Sequence, residues 1–395
     1  MGGASALGAA VTLEQLDGDP HAVLAALREA EPVSWVPVLD GWLVTPRDLA
    51  LQVMRDAGTF TVDDPRFSTG VVVGPSMLTL DGEQHRRHRD PFAAPFRLAA
   101  VRERFTDLVA GETRRLIDAL QDDGKAELRR CLAGPLAVAV VTFALGFDDA
   151  DTSMVLGWYD EIVAAVTKIT AGGAPPAAGR EAYAALAGAL APSLGRDPSA
   201  SLVAHAAGHA GGLPPAAVVS NAAVLMFGGI ETTEGMIANA LWHLLSHPDE
   251  LALVRADDGL VANAVEESLR LEPAAAVIDR YATRDVRLAG ASIRRGDLVR
   301  LSITAANRDP ATFPEPDRFD VRRENARQHA AFAAGPHVCI GMHLARLEAH
   351  TAIRELLRRL PDLRLDPASA AAAAPRGLVF RKPAELRVRW TPASR

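Results

Sequence analysis

The sequence predicts a mainly α-helical protein with small β-sheets at its edge. In four long segments, apolar residues recur at spacings of three and four while charged residues fill the opposite faces, as in amphipathic helices. These segments are residues 84–120, 218–246, 259–271 and 342–360. Strand-like runs are short and fall at residues 33–44, 280–301 and 379–390, and the last of these is predicted to form a hairpin. Because strands and helices do not alternate along the chain, a parallel α/β architecture is excluded.

The length and composition favour one large domain over residues 1–395. The chain has 395 residues, of which 49% are hydrophobic and 23% charged, so it can bury a sizeable core. Its net charge of −7 argues against nucleic acid or an anionic membrane as a partner. Its two cysteines are too few for a disulfide framework, and no basic residue precedes Arg28, as a signal peptide would require. We therefore expect a cytoplasmic monomer.

Two segments differ from the rest of the chain. Residues 131–147 carry no charge, but Pro135 and many small residues favour a buried core helix over a membrane span, and Cys131 within this run is expected to be structural. Residues 171–217 contain 8 Gly and 6 Pro, which predicts short, weakly held helices and loops. This second segment is expected to be a mobile lid over a substrate entrance.

Cys339 follows a loop that contains Gly335, and a helical pattern begins directly after the thiol. A sulfur at a helix N-terminus feels the positive end of the helix dipole and accepts bonds from free N–H groups, both of which lower its pKa. His337 adds a donor or a cation two residues earlier. A lone cysteine is otherwise most often a small buried apolar residue, so these residues alone leave both interpretations open.

The run FAAGPHVCIG at residues 332–341 resembles the cysteine-ligand loop of the cytochrome P450 family, whose thiolate is the proximal ligand of haem iron. The resemblance implies the cytochrome P450 fold, haem b as cofactor and Cys339 as the metal ligand. The further haem-binding residues that it implies in this loop are Phe332, Gly335, His337 and Gly341. Ala333 departs from the family pattern, which usually has Gly, Ser or Asn at this position.

A second motif agrees with this resemblance. Glu267 and Arg270 lie three residues apart on one helix face, and Arg318 follows in the sequence PDRF. Such a pair is by itself common on protein surfaces, where it contributes at most ~1 kcal/mol. In the family the corresponding Glu, Arg and later Arg form a buried triad that braces the cysteine loop, and the resemblance implies this structural role here.

A third motif lies in the longest apolar helical segment. Gly228 and Gly229 each cost roughly 1 kcal/mol in a helix interior, so they indicate either a groove or a close helix contact. The motif matches the oxygen-binding helix of the family, in which an acid and an alcohol supply protons during dioxygen activation. The resemblance implies Glu231 and Thr232 as this catalytic pair and the two glycines as cofactor-binding residues.

Further matches concern the haem carboxylates and the substrate. The resemblance implies that His85, Arg89 and Arg280, together with His337, neutralise the two carboxylates, although each could otherwise be an ordinary solvated charge. The predicted substrate pocket is mostly aliphatic, which suggests a moderately large apolar molecule. Its predicted residues are Met77, Leu78, Val224, Phe227, Ala275, Val277, Ile278, Leu378 and Val379.

The resemblance implies a haem-thiolate monooxygenase that activates O2 and hydroxylates or epoxidises an apolar small molecule, a secondary-metabolite intermediate. Because no flavin or iron–sulfur segment accompanies the haem motifs, we expect NAD(P)H to supply electrons through a separate ferredoxin and ferredoxin reductase. The alternatives are peroxide-driven oxidation, coupling or nitration at the same haem, and a haem protein that binds ligands without turnover. A helical metabolite-binding protein remains if the resemblance fails.

Overall fold

The computed structural model describes residues 6–147, 152–170 and 172–392. Its α-helices are α1 (Ala6–Ala9), α2 (Leu13–Asp17), α3 (His21–Ala30), α4 (Arg47–Arg55), α5 (Ser68–Val73), α6 (Gly82–Ala93), α7 (Leu98–Asp118), α8 (Gly134–Leu145), α9 (Thr152–Thr170), α10 (Ala177–Leu190), α11 (Leu202–Ala207), α12 (Pro215–Ser246), α13 (Pro248–Ala256), α14 (Val261–Leu271), α15 (Ile303–Ala306) and α16 (Met342–Arg359). Its strands are β1 (Val33–Val36), β2 (Gly41–Val44), β3 (Phe60–Thr61), β4 (Lys125–Glu127), β5 (Val277–Ala282), β6 (Val286–Leu288), β7 (Ala291–Ile293), β8 (Leu298–Ser302), β9 (Arg364–Leu365) and β10 (Arg387–Arg389). The predicted fold class, mainly α with small sheets, is confirmed.

The 32-residue helix α12 runs through the centre of the main hydrophobic core. Helices α8, α14 and α16 pack against it. It is apolar on nearly all sides, and by length and composition it is the one helix among the described residues that could cross a bilayer. In its most apolar window, 61% of the residues are buried inside the protein, as a core helix requires.

The largest sheet lies beside the helical body and has the strand order β1-β2-β8-β5-β3. Strands β2 and β8 pair in parallel, whereas the other neighbours are antiparallel. Strand β5 follows α14 after a short connection, so the sheet carries the chain from the buried end of α14 to the rim of the cavity described below. Successive residues of β5 point to opposite faces of the sheet.

Two predicted elements differ from those observed. The segment 84–120 forms two helices, because Pro95 lacks an N–H group and the chain turns at Ala94–Phe96. The predicted hairpin at residues 379–390 is wrong, since β10 pairs with β4 and β9 instead of with the residues just before it.

The apolar run at residues 131–147 is the buried helix α8, as predicted, with most of its side chains in the core. The chain enters α8 through a single π-helical turn at Arg129–Ala133. Cys131 lies in this turn and is exposed, whereas its neighbours Leu132 and Ala133 are buried. The expected structural role of Cys131 in the core is therefore contradicted.

The predicted lid, residues 171–217, consists of α10, a 3-10 turn at Ala191–Gly195, α11 and the start of α12, with residue 171 outside the described residues. Short elements with turns between them agree with its Gly and Pro content. Helix α10 packs against α9, and Gly179 approaches Ala165 so closely that an added Cβ would lie 2.5 Å from the Ala165 side chain.

Candidate active site

A cavity of about 280 Å³ lies between α12, the loop before α16 and the residues that lead into β5. Its wall is mostly apolar, and Cys339 and Thr232 both line it. The predicted pocket residues that line it are Met77, Leu78, Val224, Phe227, Ala275 and Ile278. The chain therefore has a water-excluding chamber with a thiol and a hydroxyl in its wall.

Three predicted pocket residues lie elsewhere, and these assignments are corrected. Val277 and Leu378 line a separate cavity of about 20 Å³ near the N-terminal helices. Val277 points away because it alternates with Ile278 along β5. Val379 is absent from the described lining of the main cavity, and its carbonyl accepts a hydrogen bond from the Ala276 N–H at 2.9 Å.

The loop at residues 332–341 is closed by its own backbone. The Cys339 N–H donates to the Phe332 carbonyl at 2.8 Å, and a 3-10 turn at Gly335–His337 fills the loop between them. Gly335 has φ +71°, and a Cβ there would lie 2.7 Å from the Met54 carbonyl oxygen, so only glycine fits. Ala333 is also left-handed, with φ +59°, which a non-glycine residue adopts at a cost.

The Cys339 thiol lines the cavity just before α16. Burial raises its pKa, although the backbone N–H groups of Gly341 and Met342 and the charges of Arg89 and Arg346 act in the opposite direction. The sequence predicted a lowered pKa from the helix terminus alone. Desolvation of the thiolate outweighs the effect of the helix N-terminus on this pKa, because an unpaired negative charge is costly in an apolar chamber.

On helix α14, Glu267 and Arg270 form a fully buried bidentate ion pair with N–O distances of 2.7 and 2.8 Å. The third member is Arg323, whose Nε lies 2.8 Å from Glu267 Oε1, the oxygen that Arg270 also contacts. Arg318 was predicted for this place, but its side chain is 56% exposed and pairs with Glu315. Arg318 contributes only its carbonyl, which accepts from both buried arginines.

A second buried ion pair holds the same loop from α16. Arg346 donates to both oxygens of Glu266 at 2.6 and 2.8 Å, and its guanidinium lies 4.6 Å from the centre of the Phe332 ring. His329 bonds the same carboxylate at 3.1 Å. Burial acts to raise the pKa of Glu266, but these partners outweigh it and hold the pKa at about 2. Phe332 is thus fixed between a buried ion pair and the cavity.

Of the four basic side chains predicted for the haem carboxylates, Arg89 and His337 line the cavity, whereas His85 and Arg280 are absent from its described lining. The His85 and His337 rings are 4.4 Å apart, and Arg89 donates to the Val338 carbonyl at 2.6 Å. Arg280, buried on β5, donates to the Asp279 carbonyl. Burial, then the charges of His337 and Arg89, lowers the pKa of His85 to about 4, and burial lowers that of Arg280 to about 10.

This cluster fits a bound group with negative charges. Among the described residues, the buried His85 Nε2 and one terminal nitrogen of Arg280 have no hydrogen-bond partner. A buried donor left without a partner costs ~1 to 3 kcal/mol, so such atoms indicate a ligand that completes them. The haem implied by the cysteine loop carries two carboxylates, and its iron would meet the Cys339 thiol. In the part of the chain that the structure describes, no cluster of His, Cys, Asp and Glu could hold a metal ion by itself.

The two glycines of α12 serve different purposes. A Cβ at Gly229 would lie 2.7 Å from the Val141 side chain, so this glycine permits close packing of α8. A Cβ at Gly228 meets no described atom within 4 Å, so this glycine widens the cavity. The Thr232 hydroxyl donates to the Gly228 carbonyl at 2.7 Å. Both alternatives that the sequence left open are therefore realised, one at each position.

Glu231 is buried and points away from the cavity. Its carboxylate pairs with Lys382 at 2.8 Å and accepts a hydrogen bond from the Tyr159 hydroxyl of α9. Lys382 also pairs with Glu234 at 2.6 Å, and Arg129 contacts Glu234 at 2.7 Å. The sequence gave no sign of this network of ion pairs and hydrogen bonds around Glu231.

Several site residues were missed by the sequence reasoning. Arg323 follows Arg318 by five positions, and only the fold decides which of them reaches Glu267. Tyr159 and Lys382 come from distant parts of the chain and belong to no motif. Glu348 also lines the cavity, fully buried on α16, and within the described residues its Oε2 has no hydrogen-bond partner. An acid at an apolar position of a helix was the one available signal.

Comparisons with known proteins agree with this geometry. The family model "Cytochrome P450" matches residues 199–371. The chain is 35% identical over 387 residues to cytochrome P450 monooxygenase PikC of Streptomyces venezuelae, covering 94% of this chain and 91% of the relative. It is 33% identical to pentalenic acid synthase of Streptomyces avermitilis, covering 94% of each chain.

Solved structures give the same result. A crystal structure of CalO2 superimposes with a TM-score of 0.87 and 30% identity, covering 96% of this chain and 99% of the other. P450BioI, in complex with an acyl carrier protein ligated to hexadec-9Z-enoic acid, superimposes with a TM-score of 0.86 and 29% identity, covering 96% and 99%. The chain therefore belongs to the cytochrome P450 family, has the fold of that family and is a cytochrome P450 monooxygenase.

Proposed function

We propose that the chain is a single-domain haem-thiolate enzyme, over residues 1–395, that inserts one oxygen atom from O2 into an apolar small molecule. The observation that carries this proposal is that Cys339 lines an apolar cavity together with Arg89 and His337. Its cofactor is haem b, with Cys339 as the iron ligand. When bound, this group supplies the oxidising chemistry.

The chain's own residues bind and orient that cofactor. His85, Arg89, Arg280 and His337 would neutralise its two carboxylates. Arg89 and His337 line the cavity, and among the described residues the buried His85 Nε2 and one terminal nitrogen of Arg280 have no hydrogen-bond partner. The braced loop fixes the thiol, because the Cys339 N–H is tied to the Phe332 carbonyl. The apolar wall excludes water, which strengthens every electrostatic interaction inside.

Protons reach the chamber through α12. Thr232 lines the cavity, and its hydroxyl can hold a water or a substrate oxygen. Glu231, one residue earlier, is the acid that would supply the proton. Because Glu231 is bound to Lys382 and Tyr159, its carboxylate must leave one of these partners before a proton can move from it to Thr232. The supply of protons is therefore linked to the packing of α9 on α12.

The substrate is an apolar molecule of moderate size, hydroxylated or epoxidised as a step of secondary metabolism in the cytoplasm. The wall above Thr232 is aliphatic and aromatic, with Val224, Phe227 and Ile278 as its larger residues. The 34% identical 20-oxo-5-O-mycaminosyltylactone 23-monooxygenase of Streptomyces fradiae, which is named for the oxygenation of a small molecule, supports this class. Residues 171–217 would form the mobile entrance.

Electrons would come from NAD(P)H through a ferredoxin and its reductase. Arg86 and Arg87 are exposed on α6, on the segment that carries His85 and Arg89, so an acidic ferredoxin has cations to contact there. Arg346 is less available for contact with a ferredoxin, because its guanidinium is already paired with the buried Glu266 carboxylate.

The proposal is tested by reconstitution. The purified protein, loaded with haem, is titrated with a library of apolar compounds, and binding is read as a shift of the haem absorption. The best binders are then incubated with NADPH, a ferredoxin, its reductase and ¹⁸O2. We expect one labelled oxygen atom in the product. A colourless protein, or binding without labelled product for every binder and for both NADH and NADPH, would contradict the proposed activity.

A further inference from the structure

Asp81 stands at the start of α6 but does not cap this helix. It has the extended backbone conformation of an N-cap residue, with φ −121° and ψ 173°, yet its side chain makes no capping hydrogen bond. Aspartate is among the best capping residues, and loss of such a cap typically costs ~1 kcal/mol. The Asp81 carboxylate is therefore directed to a different use.

That use lies in three hydrogen bonds to other parts of the chain. One oxygen accepts from the His337 Nε2 at 2.8 Å. The other accepts from the Thr61 hydroxyl at 2.7 Å and the Val62 N–H at 2.8 Å. Burial acts to raise the pKa of Asp81, but these donors outweigh it and hold the pKa at about 2. The carboxylate is consequently ionised and fixed in position.

The bond to His337 determines how this ring is held. The His337 side chain is 6% exposed, lines the cavity and lies against the His85 ring. Because Nε2 is taken by Asp81, Nδ1 is the ring nitrogen left for a ligand. Carboxylates play the same part behind histidines that bind metals, where they fix the orientation of the ring.

The charge of Asp81 also acts on the rest of the cluster. It favours the cationic forms of both His85 and Arg280. The same two side chains carry the buried nitrogens that lack a partner among the described residues. One carboxylate thus orients one cofactor-binding side chain and acts electrostatically on two others, without lining the cavity itself.

We propose that Asp81 is a positioning residue of the haem site, which fixes the His337 imidazole towards the haem carboxylates through the Asp81–His337 hydrogen bond. This inference rests on the proposed haem function. It adds a residue that touches neither iron nor substrate, and it links cofactor retention to strand β3 through Thr61.

The test measures release of haemin from the holoprotein to excess apomyoglobin. We expect Asp81→Ala to release haemin about tenfold faster than the parent. Asp81→Asn keeps an oxygen acceptor for His337, so it should recover part of the loss. Thr61→Val is the matched control, since it removes an anchor of Asp81 but leaves the His337 bond, and it should change release by less than threefold. Asp64→Ala, a nearby acid paired with Arg66, should have no effect.

A double-mutant cycle separates positioning from simple destabilisation. If Asp81 acts mainly through His337, Asp81→Ala should accelerate haemin release much less in the His337→Ala background than in the parent. Additive effects, or equal effects of Asp81→Ala and Thr61→Val, would overturn the proposal. A parent protein that never takes up haemin would refute the proposed function instead, and is recognised before any variant is compared.

Discussion

The two walls of the cavity are built in opposite ways. The cysteine loop is closed by its own backbone, and its Phe332 ring lies against Arg346, which pairs with buried Glu266. Glu267, Arg270 and Arg323 form a second buried cluster, the predicted brace of this loop. The opposite wall, on α12, has open space beside Gly228, and its acid Glu231 is held by Tyr159 and Lys382 from distant parts of the chain. Several independent contacts determine the first wall, whereas few determine the second.

This difference follows from what each wall must do. A metal ligand has to be held at one position, and buried charges that lose a partner are costly, so the brace resists displacement. A wall that admits substrates and moves protons needs space and side chains that can change partners. The same helical body therefore combines a rigid thiol with an adjustable opposite face.

The largest effect is expected at the brace. Arg323→Ala leaves Glu267 paired with Arg270 but removes a buried charge-assisted hydrogen bond to its Oε1. This loss should lower the free energy of unfolding by about 1.5 to 3 kcal/mol and weaken haem uptake. Arg318→Ala removes an exposed pair and should cost less than about 1 kcal/mol. Urea unfolding of both variants, followed by circular dichroism, makes the comparison. An equal decrease in the free energy of unfolding in both variants would mean that Arg318 belongs to the buried triad.

At the opposite wall, a change should affect chemistry and leave stability nearly intact. Thr232→Ala loses one hydrogen bond to the Gly228 carbonyl, while alanine is the better helix former, so the free energy of unfolding should change by less than about 1 kcal/mol. The oxygenated product formed per NAD(P)H consumed should fall about tenfold, with hydrogen peroxide appearing in its place. Full coupling in this variant would mean that another group, such as Thr233, handles the proton.

Glu348 should make stability depend on pH. Burial raises its pKa well above the ordinary value, so the folded protein keeps a proton that the unfolded chain loses at about pH 4.5. The contribution of Glu348 to the free energy of unfolding is therefore fully present below pH 4.5 and is lost as the pH rises towards the folded pKa of this acid. Glu348→Gln removes this loss, and should exceed the parent by more than about 1 kcal/mol at pH 8 but not at pH 4.

The control for this pH dependence lies on the same helix. Glu355 pairs with Arg358 at the surface at 2.7 Å, so Glu355→Gln should change stability by less than about 1 kcal/mol at every pH. Thermal melts from pH 4 to 8 separate the two variants. Parallel curves for Glu348→Gln and the parent would mean that the acid is ionised and paired in solution.

The smallest effect is expected at Ala333. Its φ of +59° is strained for alanine and free for glycine, whereas glycine also makes the unfolded chain more flexible. The two effects partly cancel, so Ala333→Gly should raise the free energy of unfolding by about 0.5 to 1 kcal/mol. A lower melting temperature in this variant would indicate that neighbouring contacts, and not backbone strain, dominate at this position.

Motifs within one segment were predictable from the sequence, and contacts between segments were not. The cysteine loop, the pair Glu267 and Arg270, and the glycines beside Thr232 follow from short spacings that fix local geometry. The choice of Arg323 over Arg318 depends on how an irregular loop folds back onto α14. Which face of β5 meets the main cavity depends on the register of this strand in the sheet. This register places Val277 on the opposite face, where it lines the smaller cavity.

The central claim is that Cys339, and not Cys131, is the iron ligand in this cavity. It is tested most directly by the absorption spectrum of the reduced, carbon-monoxide-bound protein. The parent and Cys131→Ala should both show the red-shifted band of a thiolate-ligated haem, since Cys131 is exposed in the turn before α8. Cys339→Ala should lose this band while remaining folded. A red-shifted band that persists in Cys339→Ala would contradict the account.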